Sequence, residues 1–382
     1  MKNIKIDGKL LKVMGFAVGG LILLIMIIAM IASCSKPDKY TIEKIGELEA
    51  KLITVSQTYF KNNEEALPKE GSSYDLNIDD LIEAKLIKPL SEIVENGEEC
   101  SAEITVSNNN GFYLYLPKVD CGNKYKYKSL FETLTAEEKI VTTGEGLYKV
   151  EGGYIYRGET LNNYLYFANK TWMILSINED GTLKVMEVTK RPGDTVWDNR
   201  YNIDKSLNLG INDYITLDVN SRIKDSLLEL YNNEAEFNAS DKAHLMKQTL
   251  CIGKRAETDV VNDGSIECAT TLENEMFGLL QVNEYINASL DPNCQSASSD
   301  ACTNYNYLAK LTSSYWTITA DKHTSWKAYK VSANLNVVNA TQSASIKIVA
   351  LLTSGLLFNE GDGSAENPYE LISSPMAEDE KK

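Results

Sequence analysis

CSAEITVSNNNGFYLYLPKVDC, residues Cys100–Cys121, reads as a closed β-hairpin. Ala102 to Ser107 alternates apolar and polar residues, with Ile104 and Val106 on one face, as a half-buried strand does. Asn110-Gly111 follows. Both central positions of a type I′ turn need positive φ, which Asn and Gly tolerate best. Phe112 to Leu116 is the return strand. Facing residue numbers in such a hairpin sum to a constant, and Cys100 and Cys121 share the sum of Asn110 and Gly111. Directly opposed Cα atoms lie about 4.5–5.5 Å apart, within reach of a disulfide. The stretch therefore predicts an antiparallel, covalently closed element. The alternative, two free thiols in reducing surroundings, is disfavoured by the exterior address argued below.

Upstream, Tyr40 to Asn62 is periodic. Ile42, Ile45, Leu48, Leu52, Val55, Tyr59 and Phe60 recur mostly at steps of three and four, which predicts one helix with one apolar stripe. Leu67 to Ser73 is turn-rich. Ile78 to Leu86 predicts a short helix with Asn77 as a cap, ending before Pro89. Helix, short helix and hairpin together, residues 36–127, resemble the small α+β domain of pilin-like proteins. The following segment carries many charges, and residues 128–146 read as a junction.

Further upstream the chain is uncharged from Val13 to Ser35, between Lys12 and Lys36. About 20 apolar residues cross a bilayer core, so residues 13–35 read as a membrane anchor or signal. Lys2, Lys5, Lys9 and Lys12 precede it against Asp7 alone. Cationic flanks stay in the cytoplasm, which places residues 1–12 inside and the chain after residue 36 outside. Three fates are open. One is a retained single span. Ile31-Ala32-Ser33-Cys34 resembles the bacterial lipobox, in which the Cys is lipidated and the leader removed. Of the seven Cys, Cys34 is the one isolated from the rest. Gly15-Phe16 resembles the cleavage junction of type IV prepilins, but Gly20 stands where that family has Glu, which argues against pilus assembly.

Composition narrows the function classes. The net charge of −16 over 382 residues disfavours nucleic acid as a partner, because phosphate contacts need clustered Lys and Arg. A hydrophobic fraction of 43% is enough to bury a core. Only His244 and His323 are available for imidazole chemistry, and neither has a zinc spacing to a Cys. No Gly-rich loop follows a strand and opens a helix, so no nucleotide is expected. The sequence thus predicts no catalytic residue, no cofactor and no metal. Asp362-Gly363 and Asn178 to Gly181 offer oxygens to calcium, yet lack the regular acidic spacing of a calcium loop and read as tight turns.

Residues 147–372 predict an antiparallel-sheet α+β domain, followed by a disordered acidic tail at 373–382. Tyr154 to Gly158, Tyr164 to Phe167, Trp172 to Ile177 and Thr182 to Val188 read as strands, the last two around an Asp180-Gly181 turn. Ser221 or Asn220 caps a helix whose inward face is Ile223, Leu227, Leu228 and Tyr231. Further helices are expected over Asp241 to Leu250 and after Gln281, with Glu284 as capping partner. Ser313 to Thr319, Trp326 to Leu335 and Ser345 to Leu352 alternate again. Cys251, Cys268, Cys294 and Cys302 permit three pairings. Cys251–Cys268 and Cys294–Cys302 are favoured, since each pair brackets a loop-like segment.

Several blocks carry a resemblance. They are Tyr156-Arg157-Gly158, Asn162-Asn163-Tyr164, Trp197 to Asn202, Gly210 to Tyr214, Tyr315-Trp316 and Gly361 to Tyr369. Together they are similar to an uncharacterised family of membrane-anchored surface proteins of low-GC Gram-positive bacteria. Their order also resembles, more distantly, the C-type-lectin-like fold of the formylglycine-generating-enzyme kind. Ile346 to Val349 departs from the closing strand of that fold, and its paired reactive Cys have no counterpart. The lectin-like fold hosts enzymes as well as binding proteins; the leading expectation is an extracellular, membrane-anchored, non-enzymatic binding or adhesion protein with a glycan or protein ligand, and an enzyme comes third. The alternative is a structural subunit, in which the stripe from Ile42 to Phe60 packs on a partner helix. Trp197, Asp198, Arg200 and Tyr201 are the densest aromatic–polar mix and the expected ligand-binding residues. Their bland reading is a buried Trp with an Asp–Arg pair bracing a loop.

Overall fold

The computed structural model describes residues 39–372 apart from 95, 190, 192 and 205–209, with side chains from Ile45 onward. Val13 to Ser35, its Cys34 and the tail 373–382 lie outside the described residues. Among the described residues no helix is long and apolar enough to cross a membrane. The fold is mixed α+β with mostly antiparallel sheets.

Helix α1 (Lys39–Asn62) is followed by strand β1 (Ser73–Asn77), helix α2 (Ile78–Glu83) and the hairpin β2 (Ser101–Asn109) and β3 (Phe112–Asp120). The hairpin keeps the expected register from end to end: Ser101 faces Asp120 and Asn109 faces Phe112. Asn110 and Gly111 have φ of 58° and 86°, as the type I′ turn requires. Cys100 and Cys121 are bonded, with Cα atoms 4.0 Å apart. The α1 stripe is spent on this sheet, where Ile45, Leu48, Leu52 and Phe60 are buried. Asn77 caps α2 with the reciprocal Asp80 bond of a capping box. The helix stops at Glu83, before Leu86. Lys85 turns to φ 59° and Leu86 N–H reaches back to Leu81 O at 3.0 Å, a Schellman ending that satisfies a terminal carbonyl. Strand β1 starts where the turn-rich reading left off. Its alternation is faint because it is an edge, with Leu76 its one buried side chain.

The larger part holds β4 (Gly146–Val150), β5 (Gly153–Arg157), β6 (Tyr164–Phe167), β7 (Lys170–Asn178) and β8 (Leu183–Glu187). They run β4-β5-β7-β8, and the sheet continues through Val349–Leu352 to Leu245–Met246. Strand β6 pairs with the start of β7 and, in parallel, with Tyr369–Glu370. A second sheet joins Lys254–Arg255, Tyr315–Asp321, Lys327–Val331 and Leu335–Asn339. All seven residues of Tyr315–Asp321 are buried, as a strand covered on both faces must be. Asp180-Gly181 is the predicted turn: the Asp180 carboxylate accepts Thr182 N–H at 2.9 Å and Gly181 has φ 84°.

Cys251–Cys268 and Cys294–Cys302 pair as favoured, with Cα distances of 4.3 and 4.5 Å. Further expectations are corrected here. The helix over Asp241 to Leu250 is one turn, Ala239–Ala243, capped by Asn238. Leu245 and Met246 then pair with Leu352 and Leu351, and Gln248–Cys251 pairs with Thr271–Glu275. Long-range strand pairing outbids a weak helical pattern here. The strand from Trp326 to Leu335 is two, divided where Ser332 N–H bonds Asn334 O. On the helix Arg222–Asn232, Ile223 and Leu227 are buried as expected, whereas Leu228 is exposed.

The hairpin and the larger part touch. Asn109 Nδ2 donates to Ala243 O at 2.6 Å and Asn110 Nδ2 to Leu245 O at 3.1 Å. In the junction, Leu130 N–H donates to Leu356 O at 2.9 Å. One hydrophobic cluster extends from Ile45 to Ile372.

Candidate functional site

The segment expected to bind ligand is built as a brace. Trp197 is buried, donates Nε1–H to Thr317 O at 3.0 Å and meets the Tyr214 ring edge-on. Asp198 is fully buried and accepts both Arg200 N–H, at 2.7 Å, and Arg200 Nε–H, at 2.5 Å. The remaining Arg200 nitrogens donate to Val219 O and Asp213 O. Burial pushes the Asp198 carboxyl above its ordinary value, against the pull of Arg200. Gly210 closes the brace: a Cβ there would lie 2.4 Å from Asp198 O. Asn202 and Asn212 add side-chain bonds to loop carbonyls, including Gly210 O and Asp321 O. The structure thus brings Asp198 and Arg200 together, keeps Trp197 inside and leaves Tyr201 64% exposed.

Of the two histidines, His244 is buried. Its Nδ1 lies 2.9 Å from Ser240 O and its Nε2 3.2 Å from Ile372 O. His323 is exposed in a loop. Among the described residues no group of three or more His, Cys, Asp or Glu could hold a metal ion. The Asp362 carboxylate accepts Ser364 N–H, in keeping with the tight-turn reading.

A more open arrangement lies elsewhere. Helix Val282–Ala288 begins at the predicted capping box, with Gln281 N–H on the Glu284 carboxylate at 2.9 Å. It ends at Ser289, whose hydroxyl donates to Asn304 O and accepts Asp291 N–H. The Asp291 carboxylate accepts the Asn304 amide at 2.7 Å and Asn293 N–H at 2.9 Å. These bonds hold its carboxyl below the ordinary carboxylate range. The Cys294–Cys302 bond closes the loop between them. Past it, buried Asn306 donates to Tyr285 O and Cys302 O, and Tyr307 N–H bonds Gly158 O.

Tyr305 sits between these two pinned asparagines. It has φ 47°, a left-handed conformation that is costly for a bulky side chain. It is nonetheless 56% exposed, so its ring gains little from packing. Glu159, Asp291, Thr303, Asn304, Tyr305 and Lys310 line a recess of about 550 Å³ there. Lys310 and Glu159 pair at 2.9 Å across it. An exposed aromatic ring beside a carboxylate, an amide and a hydroxyl is suited to vicinal hydroxyls and to the C–H face of a sugar ring. Sequence reasoning missed these residues. The available signal was the polar Thr303-Asn304-Tyr305-Asn306 run just after a cysteine.

Neither a protein-family model nor a curated protein nor a solved structure matches the chain.

Proposed function

We propose that this is a surface protein tethered by its N-terminal segment, with the chain after residue 36 outside the cell, which binds a saccharide in the recess around Tyr305 without turning it over. The observation that carries the reading is the exposed Tyr305, held in a left-handed backbone and lining the same recess as the bonded Asp291–Asn304 pair. Strain of this kind persists where surroundings over-determine it, and it concentrates at binding sites. The three disulfides support the exterior address, because such bonds persist in oxidising compartments. A lectin-like architecture is supported by the last described strand, Tyr369–Glu370, pairing with β6 near the start of the domain. A structural subunit held by the α1 stripe has less support, since Ile45, Leu48, Leu52 and Phe60 are occupied by the chain's own sheet.

The test is a glycan array probed with the detergent-solubilised full chain. A retained glycan should bind at least about tenfold more weakly to Tyr305→Ala, and Tyr305→Phe should keep most of the affinity. Unchanged thermal midpoints show that folding is intact. No retained glycan, or a retained one indifferent to Tyr305, overturns the reading. Intact mass of the mature protein separates a lipidated Cys34 from a retained span.

A further inference from the structure

A second recess, of about 380 Å³, is lined in part by Asp362 of the loop Gly361 to Pro368. Its floor is apolar and aromatic: Leu134, Leu147, Tyr156, Leu161 and Tyr369 are buried. Its rim is charged: Lys139, Glu145 and Asp362 line it and are exposed.

The loop is built to hold this shape. Gly361 and Gly363 have φ of 107° and 80°. A Cβ on Gly363 would lie 2.4 Å from the Tyr369 ring and 2.7 Å from Asn162 O. Tyr164 N–H bonds Gly363 O and Asp362 N–H bonds Asn367 O. The opposite wall is fixed by Val141 N–H on Leu147 O and by the Glu145 carboxylate, which accepts Thr160 N–H at 2.9 Å.

Two of the rim charges also brace their own loops: Glu145 accepts Thr160 N–H and Asp362 accepts Ser364 N–H. Among the described residues, none of Lys139, Glu145 and Asp362 is in an ion pair. Lys139 Nζ donates to the Tyr369 phenol at 3.3 Å and lies 5.8 Å from its ring centroid. The Tyr156 phenol is buried next to that of Tyr369, and burial pushes its pKa up. It is thus a neutral donor at neutral pH.

A single small ligand that meets all these groups carries an ammonium for Glu145 and Asp362, a carboxylate for Lys139 and the Tyr156 phenol, and a short apolar body for the floor. We infer that this recess is a binding site for a zwitterionic amino acid or a short peptide with free ends. It is separate from the saccharide recess, although the two share a loop: Glu159 lines the first and Thr160 the second.

Calorimetric titration of the solubilised full chain with L-alanyl-L-alanine, its N-acetyl derivative and its C-terminal amide tests this. The free dipeptide should bind, and each blocked form should lose about tenfold, since rim charges remain partly solvated. Lys139→Met should abolish the preference for a free carboxylate. Glu145→Gln with Asp362→Asn should abolish the preference for a free ammonium, while keeping the acceptors that hold Thr160 and Ser364. Both changes are at exposed positions, so thermal midpoints should hold. Absence of binding at millimolar dipeptide, or equal binding of all three compounds, overturns the inference. Displacement of the dipeptide by a glycan that needs Tyr305 would also overturn it, because the two recesses would then be one site.

Discussion

His244 packs against the Phe167 ring at 5.2 Å and is fully enclosed. Two carbonyls face its nitrogens, and Asp241 lies nearby. All three favour the charged ring, yet burial outweighs them and holds its pKa below the ordinary value. The unfolded imidazole therefore takes up a proton that the folded one refuses. Its contribution to stability is full above about pH 6.5 and is lost as pH falls below that value, by up to about 1.4 kcal/mol per pH unit. Urea unfolding at pH 7.5, 6.5 and 5.5 should show this loss, and His244→Gln should remove it. Comparing variant with parent isolates the effect from Glu187, Asp198 and Glu267. Burial raises those carboxyls, so they oppose it as pH falls. Parallel pH profiles for the two proteins would contradict the assignment.

At the scale of elements, the hairpin β2–β3 is the most autonomous piece. Alternation, turn chemistry and a disulfide agree on a single register, and such agreement across levels is what makes a segment specific. The bond closes a loop of 21 residues' separation, which is worth about 3 kcal/mol in chain entropy. Replacing Cys100 and Cys121 together by Ser should lower the unfolding free energy by about that amount. Amide exchange along Ile104 to Leu116 should still show a protected ladder under native conditions. Loss of that ladder would mean that the bond, and not the side-chain pattern, sets the register. The one-turn helix at Ala239–Ala243 is the opposite case. Its local pattern suits a longer helix, and the edge offered by Val349–Leu352 overrides it.

Across the whole molecule, the hairpin tip ties the two parts together. Asn109 and Asn110 serve the turn and also satisfy Ala243 O and Leu245 O, at the foot of the larger sheet. Replacing both by Ala should cost about 1 kcal/mol for each lost bond, and somewhat more at Asn110, whose φ of 58° disfavours Ala. Calorimetry should show a lower midpoint and a broadened transition as the parts begin to melt separately. A sharp transition at the parent's midpoint would show that the contact is incidental.

The hairpin, the α1 stripe, the capping residues Asn77, Ser221 and Gln281 and the three cysteine pairs were legible in the sequence. Each depends on neighbours close along the chain, or on a count that leaves few alternatives. The candidate sites were not legible. Trp197 to Tyr201 looks like a cleft because aromatic and polar groups are concentrated there. Whether such groups face a ligand or brace a loop depends on Gly210, Thr317 and Val219, which are distant in sequence. The Tyr305 recess likewise requires Glu159 and Lys310 to meet, and the second recess requires Lys139, Tyr156 and Asp362. Local periodicity and turn chemistry determined the elements. Only the tertiary structure decided which polar groups are enclosed as braces and which line a recess, because burial is a property of packed neighbours rather than of sequence spacing.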